Sequence, residues 1–242
     1  MTEPKGHTAI CILGMHRSGT SCLAGSLEAR GLFLGEVNKF ATFNRRGNKE
    51  NSTCMQINND LLALNGGAWD KPPEQMLWNA DLRKRRDAHI AGFAACGRWG
   101  FKDPRTVFTF PFWREALPEM RLVGTFRHPH AVARSLLRRG PKLAPATPPL
   151  DLWRRYNLRL LDIVERHGVP LLCFDWPPAT YARAVDAIAA DLGLDGHSGD
   201  APEFYDHSLR QSDQDDGTLG EVSPEDTRIY EWLMTHAIHL VA

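Results

Sequence analysis

Four short apolar runs punctuate the chain: Thr8–Leu13, 99–102, Arg121–Phe126 and 169–174. They are continuous rather than alternating, which is the pattern of strands buried on both faces of a parallel sheet. Between them the apolar positions recur every three or four residues, the helical period. One helix continues from the loop at 14–21 to Gly31. A second runs from Ser52 through Met55, Ile57, Leu61, Leu62 and Leu64 and stops at Asn65-Gly66-Gly67. Further helices are expected over 74–95, Thr106–Ala116 (with Phe108, Phe112 and Trp113 as a core-facing aromatic stripe), 150–167, 178–192 and 225–239. Pro129 opens another, its φ already set for a first helical turn. Strands alternating with helices predict a three-layer α/β/α architecture around a central parallel sheet. No internal repeat or heptad pattern interrupts it. One domain over 1–242 is expected, with a helical insertion at about 51–95 and loops at about 36–51, 140–150 and 211–222.

The first strand runs into Gly14-Met-His-Arg-Ser-Gly-Thr-Ser21 and then a helix. Strand, two glycines with a basic residue, helix start: this order makes an anion site. Glycines let successive N–H groups converge, the helix start adds unpaired donors and a positive dipole end, and Arg17 adds a charged fork. Gly14 and Gly19 match the phosphate-loop pattern G-x-x-x-x-G-K-S/T, but Thr20 stands where that pattern has lysine. Without the lysine, ATP or GTP hydrolysis is disfavoured.

Composition narrows the partners. With 29 basic and 29 acidic residues the formal net charge is zero, which argues against a general nucleic-acid binder. The hydrophobic fraction of 43% supports a full core. Five scattered cysteines (Cys11, Cys22, Cys54, Cys96, Cys173) form no C-x-x-C pair and suggest neither zinc nor a disulfide framework; Cys11 and Cys173 read as core. No apolar run approaches the ~20 residues of a membrane span, and residues 1–8 are polar, so a cytoplasmic protein without a leader is expected. The run Arg83-Lys84-Arg85-Arg86 reads as a solvated helix face, with a patch for an anionic acceptor or partner as the alternative.

A second motif decides the reading. The strand Arg121–Phe126 leads into Arg127-His128-Pro129, and Ser135 follows eight residues after Arg127. Together with the R-S-G-T-S loop this resembles sulfotransferases that use 3′-phosphoadenosine 5′-phosphosulfate (PAPS), in their bacterial form. The resemblance implies a nucleotide-kinase-like α/β fold. It also implies that Arg17, Ser18, Gly19, Thr20 and Ser21, with His16 beside them, hold the 5′-phosphosulfate, and that Arg127 and Ser135 bind the 3′-phosphate. Arg134 is a further candidate there, whereas Arg138 and Arg139 read as solvated. Lys102-Asp103-Pro104-Arg105, at a strand end where open sheets place ligands, resembles the K-D-P element of tyrosylprotein sulfotransferases, in which the lysine neutralises the transferring group. For Asp103 and Arg105 an ordinary strand-end ion pair is an equal reading. NRRGNKEN before a helix and the W-x-x-Y-N of Trp153, Tyr156 and Asn157 resemble bacterial relatives in part, and Arg210 matches an arginine near the nucleotide.

The implied reaction moves a sulfuryl group from PAPS to a hydroxyl or amine, with Arg17 and Lys102 as cations and no metal required. Glu50 is the first candidate for the general base, Glu36 the second and His16 the third. A small-molecule or glycan acceptor is expected, in particular a sugar hydroxyl of a polysaccharide, glycolipid or secondary metabolite. The alternatives are a phosphate-loop small-molecule kinase using ATP and a non-catalytic nucleotide-binding or scaffold protein of the same fold.

Overall fold

A computed structural model describes residues 8–38, 47–194, 219 and 221–238. Four parallel strands, β1 (Thr8–Leu13), β2 (Arg98–Lys102), β3 (Arg121–Phe126) and β4 (Leu171–Cys173), form one sheet in the order β2-β1-β3-β4. The register pairs Cys11 with both Phe101 and Leu122, and Phe126 with Cys173. The unbroken apolar runs are explained by the two layers they divide. Along β1, Cys11 and Leu13 join one core cluster while Ile10 and Ile12 join the other.

Helices cover both faces. On one side α1 (Thr20–Glu28) packs beside α7 (Pro178–Asp191) through Leu23, Leu27, Tyr181 and Val185. On the other lie α2 (Ser52–Leu64), α4 (Thr106–Ala116), α6 (Pro149–His167) and α8 (Pro224–Thr235), with α3 (Ala80–Ala91) against α2 and α5 (Pro129–Leu137) against α6. The aromatic stripe Phe108, Phe112 and Trp113 is buried in this core, as are Cys11 and Cys173. Among the described residues, no helix is long and apolar enough to cross a membrane.

Three predicted elements are shorter than expected. α3 begins only at Ala80, where Asn79 caps it by accepting from Leu82 N–H; residues 74–79 are not helical, and Arg159 and Asn65 hold the carbonyls of Glu74 and Leu77. β4 spans three residues, with Gly124 N–H bonded just before it and Phe174 N–H just after. α8 ends at Thr235, and Ala237 instead bridges Leu171 of β4.

The basic run on α3 is a solvated face only in part: Arg83 and Lys84 are exposed, and Arg86 is not. Arg86 is buried over the Phe112 ring and donates to the Phe112 carbonyl and Glu115. Arg83 also pairs with Glu115, and Arg85 pairs with Asp60. The run docks α3 onto α4 and α2.

Asn58 on α2, fully buried, ties that helix to the end of β2. Its Nδ2 donates to Asp103 and Thr106, and its Oδ1 accepts from Thr109 and Trp113. Every hydrogen-bonding position of the amide is used. Asn58→Leu leaves several buried groups without partners and is expected to cost about 3 kcal/mol; denaturant unfolding measures it, and a loss under about 1 kcal/mol would show that the network is dispensable.

Candidate functional site

The loop after β1 is shaped by what lies beneath it. Gly14 has φ 145°, and a Cβ there would fall 2.3 Å from the Thr125 carbonyl oxygen of β3. Gly19 has φ 84°, and its Cβ would fall 2.2 Å from the Phe174 ring after β4. Only glycine meets both demands. Between them Arg17 adopts φ 67°, uncommon for a side-chain-bearing residue. Thr125 Oγ1 donates to the Ser18 carbonyl at 3.0 Å and pins the loop to the sheet.

This path leaves polar groups facing one place. Gly19 starts α1 with no side-chain cap and no acidic residue in the first turn, so the positive end of the helix has no negative side chain of its own. Among the described residues, the Ser18 hydroxyl is buried with no partner, as is His16 Nε2. Thr20 is buried at the first helical position, and Ser21 Oγ donates to the Asn48 carbonyl, drawing residues 47–51 toward the loop.

Two distant motifs meet here. Arg17 Nε donates to Ser135 Oγ at 2.8 Å, across a separation of 118 residues. Pro129 opens α5 and turns the chain back, so buried Ser135 reaches the loop. Arg127, at the end of β3, is oriented by Asp175, which accepts from Arg127 Nε at 2.9 Å and from His128 N–H at 2.8 Å. Its guanidinium also lies over the Phe174 ring. Trp153 Nε1 donates to the Arg127 carbonyl, and the Tyr156 hydroxyl to that of Trp69. Trp153 and Tyr156 of the W-x-x-Y-N pattern therefore brace the site from behind, while Asn157 bonds within its own helix.

At the end of β2, Lys102 Nζ donates to Glu50 Oε1 at 2.8 Å, with both side chains buried. Glu50 is brought there by a short ladder in which Asn38 N–H donates to the Glu50 carbonyl and Lys49 N–H to that of Asn38. Asn51 then caps α2. Glu36 is exposed. Asp103 accepts from the Arg105 backbone and guanidinium and from Asn58, so the strand-end ion pair is its observed role. Arg210 lies outside the described residues.

The site is cationic. Burial and the neighbouring charges of Arg139, Arg127 and Arg138 push the Arg17 guanidinium down to about 10. His16, its ring edge-on to Trp69 and Tyr156, is held well below its ordinary value by burial and by Arg105, Lys102, Arg139 and Arg17. It stays neutral at assay pH, and gaining a proton among four cations is costly, which sets it behind Glu50 as a base. Arg139 is not simply solvated: half-buried, it turns over the Trp69 ring. Trp69 lies in the stretch 66–73 that follows α2, which resembles bacterial sulfotransferases in part, but no role was expected of it.

His16 makes stability depend on pH. Below 6.5 the unfolded chain binds a proton that the folded imidazole refuses, so stability falls as pH drops. The loss attributable to His16 is expected to reach about 1 kcal/mol at pH 5.5. His89 and His128 shift in the same direction, so the measurement is the difference between wild type and His16→Gln in urea unfolding at pH 7.0 and 5.5. Identical pH dependence in the two proteins would place the imidazole in solvent.

The fold is that of sulfotransferase domains. The sulfotransferase domain from the Synechococcus PCC 7002 olefin synthase superposes with a TM-score of 0.58 at 17% identity, covering 99% of this chain and 98% of that one. The sulfotransferase domain from the curacin biosynthetic pathway gives 0.51 at 18% identity, covering 96% and 99%. No protein-family model matches the chain, and no curated protein matches it.

Proposed function

We propose that this protein transfers a sulfuryl group from PAPS to a hydroxyl or amine of a small-molecule or glycan acceptor. The observation that carries the proposal is the Arg17–Ser135 contact, which joins the phosphosulfate-type loop to the second motif in one cationic site. The shared fold with two sulfotransferase domains supports it. The residues fit the donor. Arg17, the unpartnered Ser18 hydroxyl, Thr20, Ser21, the N–H groups after Gly19 and the neighbouring His16 suit a 5′-phosphosulfate. Arg127, oriented by Asp175, and Ser135 suit a 3′-phosphate, and Arg210 is assigned to the same nucleotide.

In the reaction the acceptor oxygen or nitrogen forms a bond to sulfur as the bond from sulfur to the bridging phosphate oxygen breaks. The acceptor's proton passes to Glu50, and 3′-phosphoadenosine 5′-phosphate leaves. Arg17 and Lys102 counter the charge spread over the sulfuryl oxygens. Catalysis is mostly positioning and charge stabilisation, as in phosphoryl transfer. The hydrogen bond from Lys102 fixes the Glu50 carboxylate in place, where the proposed reaction has it take the acceptor's proton. We assign the activity to one domain in the cytoplasm, where PAPS is made.

The ATP-kinase alternative lacks the loop lysine and gives Ser135 no role. Thermal shift separates the two. 3′-Phosphoadenosine 5′-phosphate is expected to raise the melting temperature by several degrees while ATP at the same concentration does little. A larger shift with ATP would reverse the assignment. Arg127→Gln is expected to weaken the nucleotide product at least tenfold, because a charge-assisted contact to phosphate is lost; unchanged affinity would remove Arg127 from the 3′-phosphate. Release of the product only when an acceptor is present separates an enzyme from a binding protein.

A further inference from the structure

Behind the site's aromatic wall lies a second cavity of about 580 Å³, within the range of small-molecule sites. It runs between α4 and α6 under the segment 73–78. The Phe108 ring closes its upper end against Tyr156, whose other neighbour is His16. The rest of its apolar lining is Met76, Trp78, Val107, Phe110, Pro111 and Ile163. From Val107 to Arg114 the lining follows α4 for two turns, about 10 Å, so the space is elongated.

The charges around it are unevenly matched. Glu115 is held by Arg83, Arg86 and Trp78 from outside, and Asp162 pairs with Arg166. Arg114 donates to the carbonyls of Pro118 and Met120 and meets His167 Nδ1 at 3.4 Å. Arg159 donates to the Glu74 carbonyl. Among the described residues, neither Arg114 nor Arg159 makes an ion pair. Against these two cations the lining offers the exposed Glu74 carboxylate.

We propose that this cavity binds a linear amphiphile, a hydrocarbon chain ending in a carboxylate. The chain lies on the apolar floor, where Met76 adapts to it, and the carboxylate meets the guanidinium forks of Arg114 and Arg159. An elongated apolar slot fits an unbranched chain, and cations whose observed partners are neutral favour an anionic end. The site is separate from the sulfuryl-transfer site and does not depend on that assignment.

Calorimetric titration with sodium decanoate and with 1-decanol, alongside Trp78 fluorescence, tests it on the whole protein. Decanoate is expected to bind in the micromolar range, at least tenfold tighter than decanol, and to change Trp78 emission. Ile163→Phe and Met76→Trp each fill the slot and are expected to abolish binding. Met76 lies on a coil segment, so its variant tests the idea even where the α6 variant unfolds. Arg159→Gln is expected to weaken decanoate severalfold and leave decanol unchanged. Absence of decanoate binding, equal affinity for the alcohol, or undiminished binding in a folded Met76→Trp protein would overturn the proposal.

Discussion

Glu50→Gln is expected to lower turnover of PAPS by roughly 10²-fold or more while leaving affinity for 3′-phosphoadenosine 5′-phosphate unchanged. The substitution preserves size and leaves an oxygen for Lys102, but the amide cannot take a proton. General-base catalysis is commonly worth 10²–10⁴-fold, about 3–5 kcal/mol of barrier. Because Glu50 and Lys102 are both buried and 2.8 Å apart, removing the carboxylate also leaves a lysine charge without its partner. A melting curve is therefore measured alongside the rate, so that lost folding is not read as lost chemistry. A folded Gln variant with wild-type turnover would end the assignment of Glu50 and move the search to other carboxylates. Lys102→Met in the same assay is expected to lower the rate too, since the cation fixes Glu50 and, in the proposed reaction, counters the charge on the transferring group.

Gly14→Ala is expected to destabilise the protein by more than about 3 kcal/mol and to abolish nucleotide binding. The added methyl would meet the Thr125 carbonyl oxygen at 2.3 Å, and that carbonyl belongs to a central strand that cannot give way. φ 145° adds strain of its own. Gly19→Ala is the informative contrast. Its obstacle is the ring of Phe174, a side chain that can turn, so a cost of about 1–3 kcal/mol is expected. Phe174→Leu in that background should recover part of it. Chemical denaturation of the four proteins measures both effects. A Gly14→Ala protein with wild-type stability and nucleotide affinity would mean that the loop follows a different path from the one described.

The strand runs and most helix ends were legible in the sequence because their signals are local. Pro129, the Asn65-Gly66-Gly67 stop and Gly168 mark their boundaries by backbone chemistry that acts within a turn. The start of α3 was misjudged because residues 74–79 carry no strong helix breaker beyond Pro73. Their carbonyls are taken by Asn65 and Arg159, partners distant in sequence. Arg86 was read as solvated for the same reason: its partners, Phe112 and Glu115, come from α4.

Within the site, the sequence by itself determined where the loop after β1 turns and which basic and hydroxyl side chains it carries. The spacing of Gly14 and Gly19, the position of Arg17, and the step from Arg127 to Ser135 are short-range patterns with a direct backbone meaning. Only the tertiary structure decided what each of them touches. Ser135 was expected to share a phosphate with Arg127, and the side chain it is seen to contact is Arg17 of the loop. Lys102 and Glu50 stood as separate candidates and prove to be one buried pair. Trp69 and Arg139, expected in other roles or in none, meet beside His16: the Trp69 ring packs edge-on to the imidazole and Arg139 lies over that ring. A motif records the backbone geometry that a residue needs. Its partners are set by strand order and helix packing, which bring together side chains that no local pattern connects.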